Sequence, residues 1–110
     1  MYSYNVYLFR EDTSHLFWYD FIELSNNTAY QEMKQQFITE GKLLSEEVSS
    51  GNDDTIYVRT LNFETETSCN EFVSAFFNLY PNYRKDFKEY LTKYNHTALT
   101  SINQEFLPAL

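Results

Sequence analysis

The chain has 110 residues and a formal net charge of −8, and 43% of its residues are hydrophobic and 19% aromatic. This length suits one domain around one core, and so many aromatic side chains exclude a wholly disordered chain. An acidic surface disfavours nucleic acid and anionic membranes as partners, because both carry negative charge themselves.

The cysteine count and the N-terminal residues indicate in which cellular compartment the protein is expected. Cys69 is the only cysteine, so an internal disulfide is impossible, which fits a reducing environment. The first residues lack the basic and apolar regions of a signal peptide, and no run approaches the ~18 apolar residues of a membrane span. We therefore expect a soluble, cytoplasmic protein that contacts no membrane.

The first forty residues predict a strand, an ambiguous segment and a helix. Tyr2–Phe9 is rich in Tyr, Val, Phe and Leu and is apolar on both faces, which predicts a strand covered on both sides. The aromatic residues of Leu16–Ile22 favour a second strand pairing with the first as a hairpin, although the spacing of Leu16 and Asp20 also allows a short helix. Thr28–Glu40 has apolar residues at helical spacing and predicts a helix capped by Thr28.

Two further strands follow, and a last one closes the chain. Thr55–Phe63 alternates between two faces, which predicts a strand. The loop around Gly51 implies a hairpin with Leu43–Val48 as its partner. A weaker alternation over Ala98–Leu107 favours a final strand.

Thr65–Tyr94 carries an aromatic stripe at helical spacing, with Thr67 as the expected cap. Pro81 breaks this stretch, because its ring clashes with the carbonyl four residues earlier. We expect Tyr80 to end one helix and Pro81 to start the next, with the stripe in phase across the break. The stripe consists of Phe72, Phe76, Tyr80, Tyr83, Phe87, Tyr90 and Tyr94.

The order of these elements predicts a single α+β domain over residues 1–110. It is the ferredoxin-like βαββαβ arrangement: an antiparallel sheet with helices on one face, an extra N-terminal hairpin strand and a Pro-broken second helix. The other face of the sheet must be covered by a partner or enclose a pocket, because its first strand is apolar on both sides.

Three segments also carry a resemblance to a family. YNVYLF, TIYVRTLNF running into a capped helix, and NEFVSAFFNLYPNYRKDFKEYL resemble the dimeric α/β-barrel superfamily, which includes the antibiotic-biosynthesis monooxygenases. The resemblance implies a sheet-to-sheet homodimer and, in some members, a small hydrophobic ligand. Haem-degrading members use an Asn, a Trp and a His; Asn5 matches the first, but Phe76 or Phe77 stands at the Trp position. No His lies in Phe72–Tyr94, which argues against haem.

Most side chains that could take part in catalysis or metal binding are better explained by structural roles. Cys69 has no base near it in sequence and is expected to be a small buried residue. His15 is expected in an exposed turn, and His96 at a helix end, where the dipole favours a cation. The adjacent acids Glu46 and Glu47 are read as solvated charge. No set of residues has metal-ligand spacing, and no catalytic motif or cofactor site is predicted.

One group of polar residues does suggest a pocket. Asn5 and Tyr7 share one face of the first strand, and Tyr57 and Arg59 share one face of the hairpin strand. If those faces coincide, the four side chains converge on an aromatic-walled space. Arg59 within a sheet needs a carboxylate partner or an anionic ligand. The alternative without a ligand is that these residues lie on a sheet face buried in a dimer.

We therefore expect a small binding or interaction protein without catalytic residues, not an enzyme, that assembles as a homodimer through its sheet. One alternative is a cofactor-independent monooxygenase-like enzyme or a carrier of a small apolar ligand, and another is an acidic decoy that occupies a basic macromolecular site. Any function beyond association is expected on the sheet face opposite the helices.

Overall fold

The computed structural model describes residues 1–103 and 105–108. Its strands are β1 (Tyr2–Phe9), β2 (Leu43–Gly51), β3 (Ile56–Phe63), β4 (Thr97–Ile102) and β5 (Glu105–Pro108). They form an antiparallel sheet with the strand order β2-β3-β1-β4-β5. Strand β1, apolar on both faces, lies at the centre between β3 and β4, as the sequence predicts. The hairpin of β2 and β3 is also as predicted.

The longer helices lie on one face of this sheet, and their caps differ slightly from those predicted. The helices are α1 (Trp18–Phe21), α2 (Thr28–Thr39), α3 (Glu66–Leu79) and α4 (Tyr83–Tyr94). Asn27, not Thr28, caps α2, since its Oδ1 accepts the backbone N–H of Tyr30 at 3.0 Å. Thr65, not Thr67, caps α3, since its Oγ1 accepts the backbone N–H of Ser68 at 3.1 Å.

The predicted strand over Leu16–Ile22 is wrong, because this segment contains the short helix α1. Three consecutive residues, Phe17, Trp18 and Tyr19, are all buried. A strand would send neighbouring side chains to opposite faces, whereas an extended Phe17 followed by one helical turn brings all three rings into the core.

The additional strand of the sheet, predicted near the N-terminus, is instead β5, near the C-terminus. The segment predicted as one strand over Ala98–Leu107 forms β4 and β5, which pair with each other. Asn103 lies between them with φ of 47°, a left-handed conformation that Asn tolerates in turns. Position 104 lies outside the described residues.

The break in the aromatic stretch is confirmed near Pro81. Helix α3 ends at Leu79 with Tyr80 as its C-cap, and α4 begins at Tyr83 rather than at Pro81. The rings remain in phase across the break, since the ring centroids of Phe76 and Tyr83 lie 4.8 Å apart. The stripe therefore forms one continuous surface against the core.

The two faces of the sheet differ in what covers them. Val6 and Leu8 of β1 face the helices and belong to the buried core, together with Phe63 of β3. The opposite face, here called the open face, has no helix packed on it in the part of the chain that the structure describes. In its three central strands it comprises Ser3, Asn5, Tyr7, Phe9, Ile56, Val58, Thr60, Asn62, Thr97, Leu99 and Ser101. No helix within the described ranges is long and apolar enough to cross a membrane.

Candidate ligand-binding site

A cavity of about 340 Å³ lies between the helix-facing side of the sheet and helices α3 and α4. Its volume falls within the range of small-molecule sites, roughly 300–1,000 Å³. Most of its surface is apolar or aromatic, as such sites usually are. Leu24, between α1 and α2, lines the cavity as well; the sheet contributes Tyr4, Val6, Arg59, Leu61, Thr100 and Ile102, and the helices contribute Tyr19, Tyr30, Phe72, Val73, Phe76, Phe77, Tyr83, Arg84 and Phe87.

A hydrogen-bonded charge cluster lies at one side of this cavity. Arg59 donates from Nη1 to Glu46 Oε2 at 2.8 Å and from Nη2 to the Tyr57 hydroxyl oxygen at 2.8 Å. The hydroxyl of Tyr30 donates to the same Glu46 oxygen at 2.5 Å, and Lys34 Nζ lies 3.0 Å from Glu46 Oε1. Arg59 therefore has the carboxylate partner that a buried guanidinium requires.

The cluster keeps its charges at neutral pH. Burial by itself would raise the pKa of Glu46, but hydrogen bonds from Tyr30 and Lys34 and the charge of Arg59 outweigh it, so the pKa is lowered. Burial would lower the pKa of Arg59, yet its neighbours, above all Tyr57 and Glu46, raise it. Burial and Glu46 raise the pKa of Tyr30, so its hydroxyl stays a donor.

The structure does not bring together the four residues of the predicted pocket. Val6 and Leu8, not Asn5 and Tyr7, are the register partners of Arg59 and Tyr57. Because side chains alternate along a strand, Arg59 and Tyr57 face the helices, while Asn5 and Tyr7 lie on the open face. Only Arg59 of the four lines the cavity. The cavity is thus on the helix side of the sheet and not on the opposite face, where we expected a function.

On the open face, the polar residues bond to one another. Asn5 donates from Nδ2 to Ser101 Oγ at 3.1 Å, and its Oδ1 accepts from Thr60 Oγ1 at 2.6 Å. Tyr7 stacks on Phe9 with ring centroids 6.5 Å apart. Asn5 and Tyr7 thus belong to a sheet surface rather than to a cavity.

Glu46, which the sequence predicts to be solvated together with Glu47, instead belongs to the charge cluster. The two carboxylates separate because neighbouring strand residues point to opposite faces: Glu46 faces Arg59, and Glu47 is exposed. The register of the β2–β3 hairpin accounts for the position of Glu46. Val48 pairs with Arg59, so Glu46 lies diagonally across from Arg59 on the same face of the sheet.

Cys69 occupies the buried position expected of it. Burial, with a contribution from the charge of Glu66, raises the pKa of its thiol to about 11. A thiol with so high a pKa forms little thiolate and is a poor nucleophile at neutral pH. Within residues 1–103 and 105–108, no three His, Cys, Asp or Glu side chains are grouped so that they could hold a metal ion.

His96 was expected as a cation at a helix end, but the structure buries it. Its ring is 5% exposed and packs 5.9 Å from the ring of Phe17 and 5.8 Å from that of Tyr90. Neither ring nitrogen has a hydrogen-bond partner among the described residues. Burial lowers its pKa, and the nearby charges of Arg10 and His15 lower it further.

This burial predicts a loss of stability in mild acid. The folded-state pKa of His96 lies below its ordinary value of 6.5, so the unfolded chain binds more protons there and the free energy of unfolding falls as pH drops below about 6.5. His96→Leu should remove this component, whereas His15→Leu should only reduce it, because burial of His96 is the larger cause. Urea unfolding between pH 5 and 8 measures the difference, and equal slopes for the wild type and His96→Leu would contradict the assignment.

Known proteins provide one informative comparison. No family model and no curated protein matches the sequence. Among solved structures, the chain is similar to the crystal structure of a dimeric ferredoxin-like protein from an uncultured marine organism. The TM-score is 0.59 at 7% sequence identity, over 99% of this chain and 95% of that chain.

At this level of identity the likeness shows the fold alone. The strand order, with the helices on one face, agrees with it. The chain is therefore an α+β protein with the ferredoxin-like fold, and the expected fold class is confirmed apart from the position of its additional strand.

Proposed function

We propose that this chain is a binding protein for a small, largely apolar molecule and that it works as a homodimer assembled through the open face of its sheet. The observation that carries the binding function is the cavity of about 340 Å³ with its aromatic walls and its charge cluster at one side. Such a combination of apolar surface and a few oriented polar groups is typical of ligand sites. A decoy protein would need no cavity, so this feature favours ligand binding over that alternative.

We propose a non-catalytic role, because the polar groups at the cavity have chemistry suited to holding a ligand. Tyr30 and Arg59 have raised pKa values, so neither is poised to exchange a proton near neutral pH. A monooxygenase-like enzyme that only positions an aromatic substrate is the second candidate, and the aromatic walls of the cavity favour it. Turnover of an electron-rich aromatic substrate under oxygen would distinguish it from a carrier.

The binding function is tested with N-phenyl-1-naphthylamine, a neutral probe that fluoresces in apolar sites. We expect binding in the micromolar range to the wild type. Val73→Trp should weaken it at least about tenfold, because Val73 lines the cavity and a larger side chain fills it. Ser74→Trp, an exposed neighbour on the same helix, is the matched control. Absence of binding to the wild type, or equal binding to both variants, would refute the proposed site.

The proposed dimer rests on the composition of the open face. In a chain with sixteen acidic residues, the side chains that β3, β1 and β4 present to the open face carry no charge. Tyr7, Phe9, Ile56, Val58 and Leu99 form an apolar band across it. Depletion of charge is characteristic of interface cores. The similar solved structure is described as dimeric, which is consistent with this proposal.

Light scattering after size exclusion tests the dimer. The wild type should have twice the 13.2 kDa mass of one chain. Val58→Lys should shift it to the monomer, because a charge then lies in the middle of the apolar band. Val48→Lys, which changes an exposed valine on the other side of the sheet, should remain dimeric. A monomeric wild type at tens of micromolar, or a dimeric Val58→Lys variant, would overturn this part of the proposal.

A further inference from the structure

The charged side chains that line the cavity are unusual for this protein. The chain has sixteen acidic and eight basic residues, yet the charged side chains among the described lining residues, Arg59 and Arg84, are both basic. The described wall of the cavity thus offers two guanidinium groups and no carboxylate to a ligand, although Glu46 pairs with Arg59.

Arg59 has hydrogen-bonding capacity left over. The residue is 7% exposed, and Nη1 and Nη2 donate to Glu46 and Tyr57. Its Nε is buried and has no partner among the described residues. A buried N–H without an acceptor is destabilising, and more so when the group is charged, so an acceptor brought by a ligand would remove that penalty.

The charge of Arg59 is also incompletely balanced. Glu46 is shared, since one of its oxygens contacts Arg59 at 2.8 Å and the other contacts Lys34 at 3.0 Å. Two cations therefore face one carboxylate. The side chain of Lys34 is 19% exposed and that of Arg59 is 8% exposed, so both cations lie in a poorly solvated place.

Arg84 adds a second positive charge at the solvent side of the cavity. It is exposed, and its guanidinium carbon lies 4.4 Å from the ring centroid of Phe77, which also lines the cavity. This stacking holds the planar group beside the apolar wall and leaves its N–H groups to bind a ligand.

We propose that the ligand has an apolar or aromatic body with an anionic head of the carboxylate type, and that Arg59 and Arg84 bind that head. The inference rests on the proposed ligand-binding function. The body would contact the aromatic walls, and the head would accept hydrogen bonds from the guanidinium groups, which match a carboxylate in shape and charge.

Two probes that differ only at the head test the inference. 2-Naphthoate and 2-naphthalenemethanol compete for the cavity against N-phenyl-1-naphthylamine at pH 7. For the wild type we expect naphthoate to compete about tenfold more strongly, as one charge-assisted hydrogen bond would provide. Arg59→Met should abolish this preference while the neutral probe still binds.

Variants on α4 keep the test valid if Arg59→Met fails to fold. Arg84→Gln should reduce the preference by about threefold, a small effect because the residue is exposed. Lys85→Gln, which changes an exposed neighbouring cation outside the cavity wall, should leave it unchanged. If the neutral probe does not bind the wild type, the proposed function fails. If it binds but acid and alcohol compete equally, or if Arg84→Gln and Lys85→Gln behave alike, the anionic-head inference is overturned.

Discussion

Glu46→Ala is expected to lower the free energy of unfolding by about 3–5 kcal/mol, because it leaves the buried guanidinium of Arg59 without its carboxylate. It also removes the acceptor of Tyr30 and the partner of Lys34. Urea unfolding of wild type and variant at one protein concentration measures the difference, since a dimer's stability depends on concentration.

Two comparisons show whether the lost ion pair is the cause. Glu47→Ala removes an exposed carboxylate next in sequence and should change stability by no more than about 0.5 kcal/mol. Combining Glu46→Ala with Arg59→Met removes the stranded charge and should recover part of the loss. A loss of the same size in Glu47→Ala, or no recovery in the double variant, would show that the cluster does not act as described.

Phe72→Ala is expected to cost about 3–5 kcal/mol, because it removes a ring from the point where α2, α3 and the sheet meet. The ring of Phe72 is 2% exposed, and its centroid lies 5.2 Å from that of Phe37 and 5.3 Å from that of Phe63. Since Phe72 also lines the cavity, the affinity of the variant for N-phenyl-1-naphthylamine should change as well.

Phe21→Ala is the matched control for this loss. Its ring is 55% exposed, although it contacts Tyr90 at 4.8 Å, so we expect a cost of about 1 kcal/mol. Thermal or urea unfolding of both variants under the same conditions compares the two. Equal costs would mean that the Phe72 ring is not central to the core.

The charge cluster illustrates how far the sequence leads toward the site. Arg59 could be predicted to need an anionic partner, because an arginine in a half-buried strand is costly alone. Its partner could not be chosen from sixteen acidic residues without the register of β2 and β3. Tyr30 and Lys34 reach the same carboxylate only because α2 packs beside β2, a contact that no local pattern records.

The proposed interface illustrates the reverse case. The sequence predicts a second apolar face on β1, and no helix among the described residues covers that face. The sequence could not show which polar residues share that face. Asn5 proves to bond across strands to Thr60 and Ser101 rather than to point into a pocket with Arg59.

The sequence by itself determined the elements whose causes are local. Strand-forming composition defined β1, alternation defined β3, helical spacing defined α2, and the ring geometry of Pro81 divided the aromatic stretch into α3 and α4. These patterns depend on neighbours within a few residues along the chain. The order of the elements then left few topologies open, and the ferredoxin-like one was among them.

Only the tertiary structure decided the features that depend on distant partners. The aromatic segment at Trp18 became a helix that places three consecutive rings in the core, and His96 became buried, with a lowered pKa, because Phe17 and Tyr90 enclose it. Arg59 lines the cavity on the helix side because the register pairs it with Val6, whose side chain faces the helices. Each outcome was selected by packing between distant segments, whose free energies exceed local propensities.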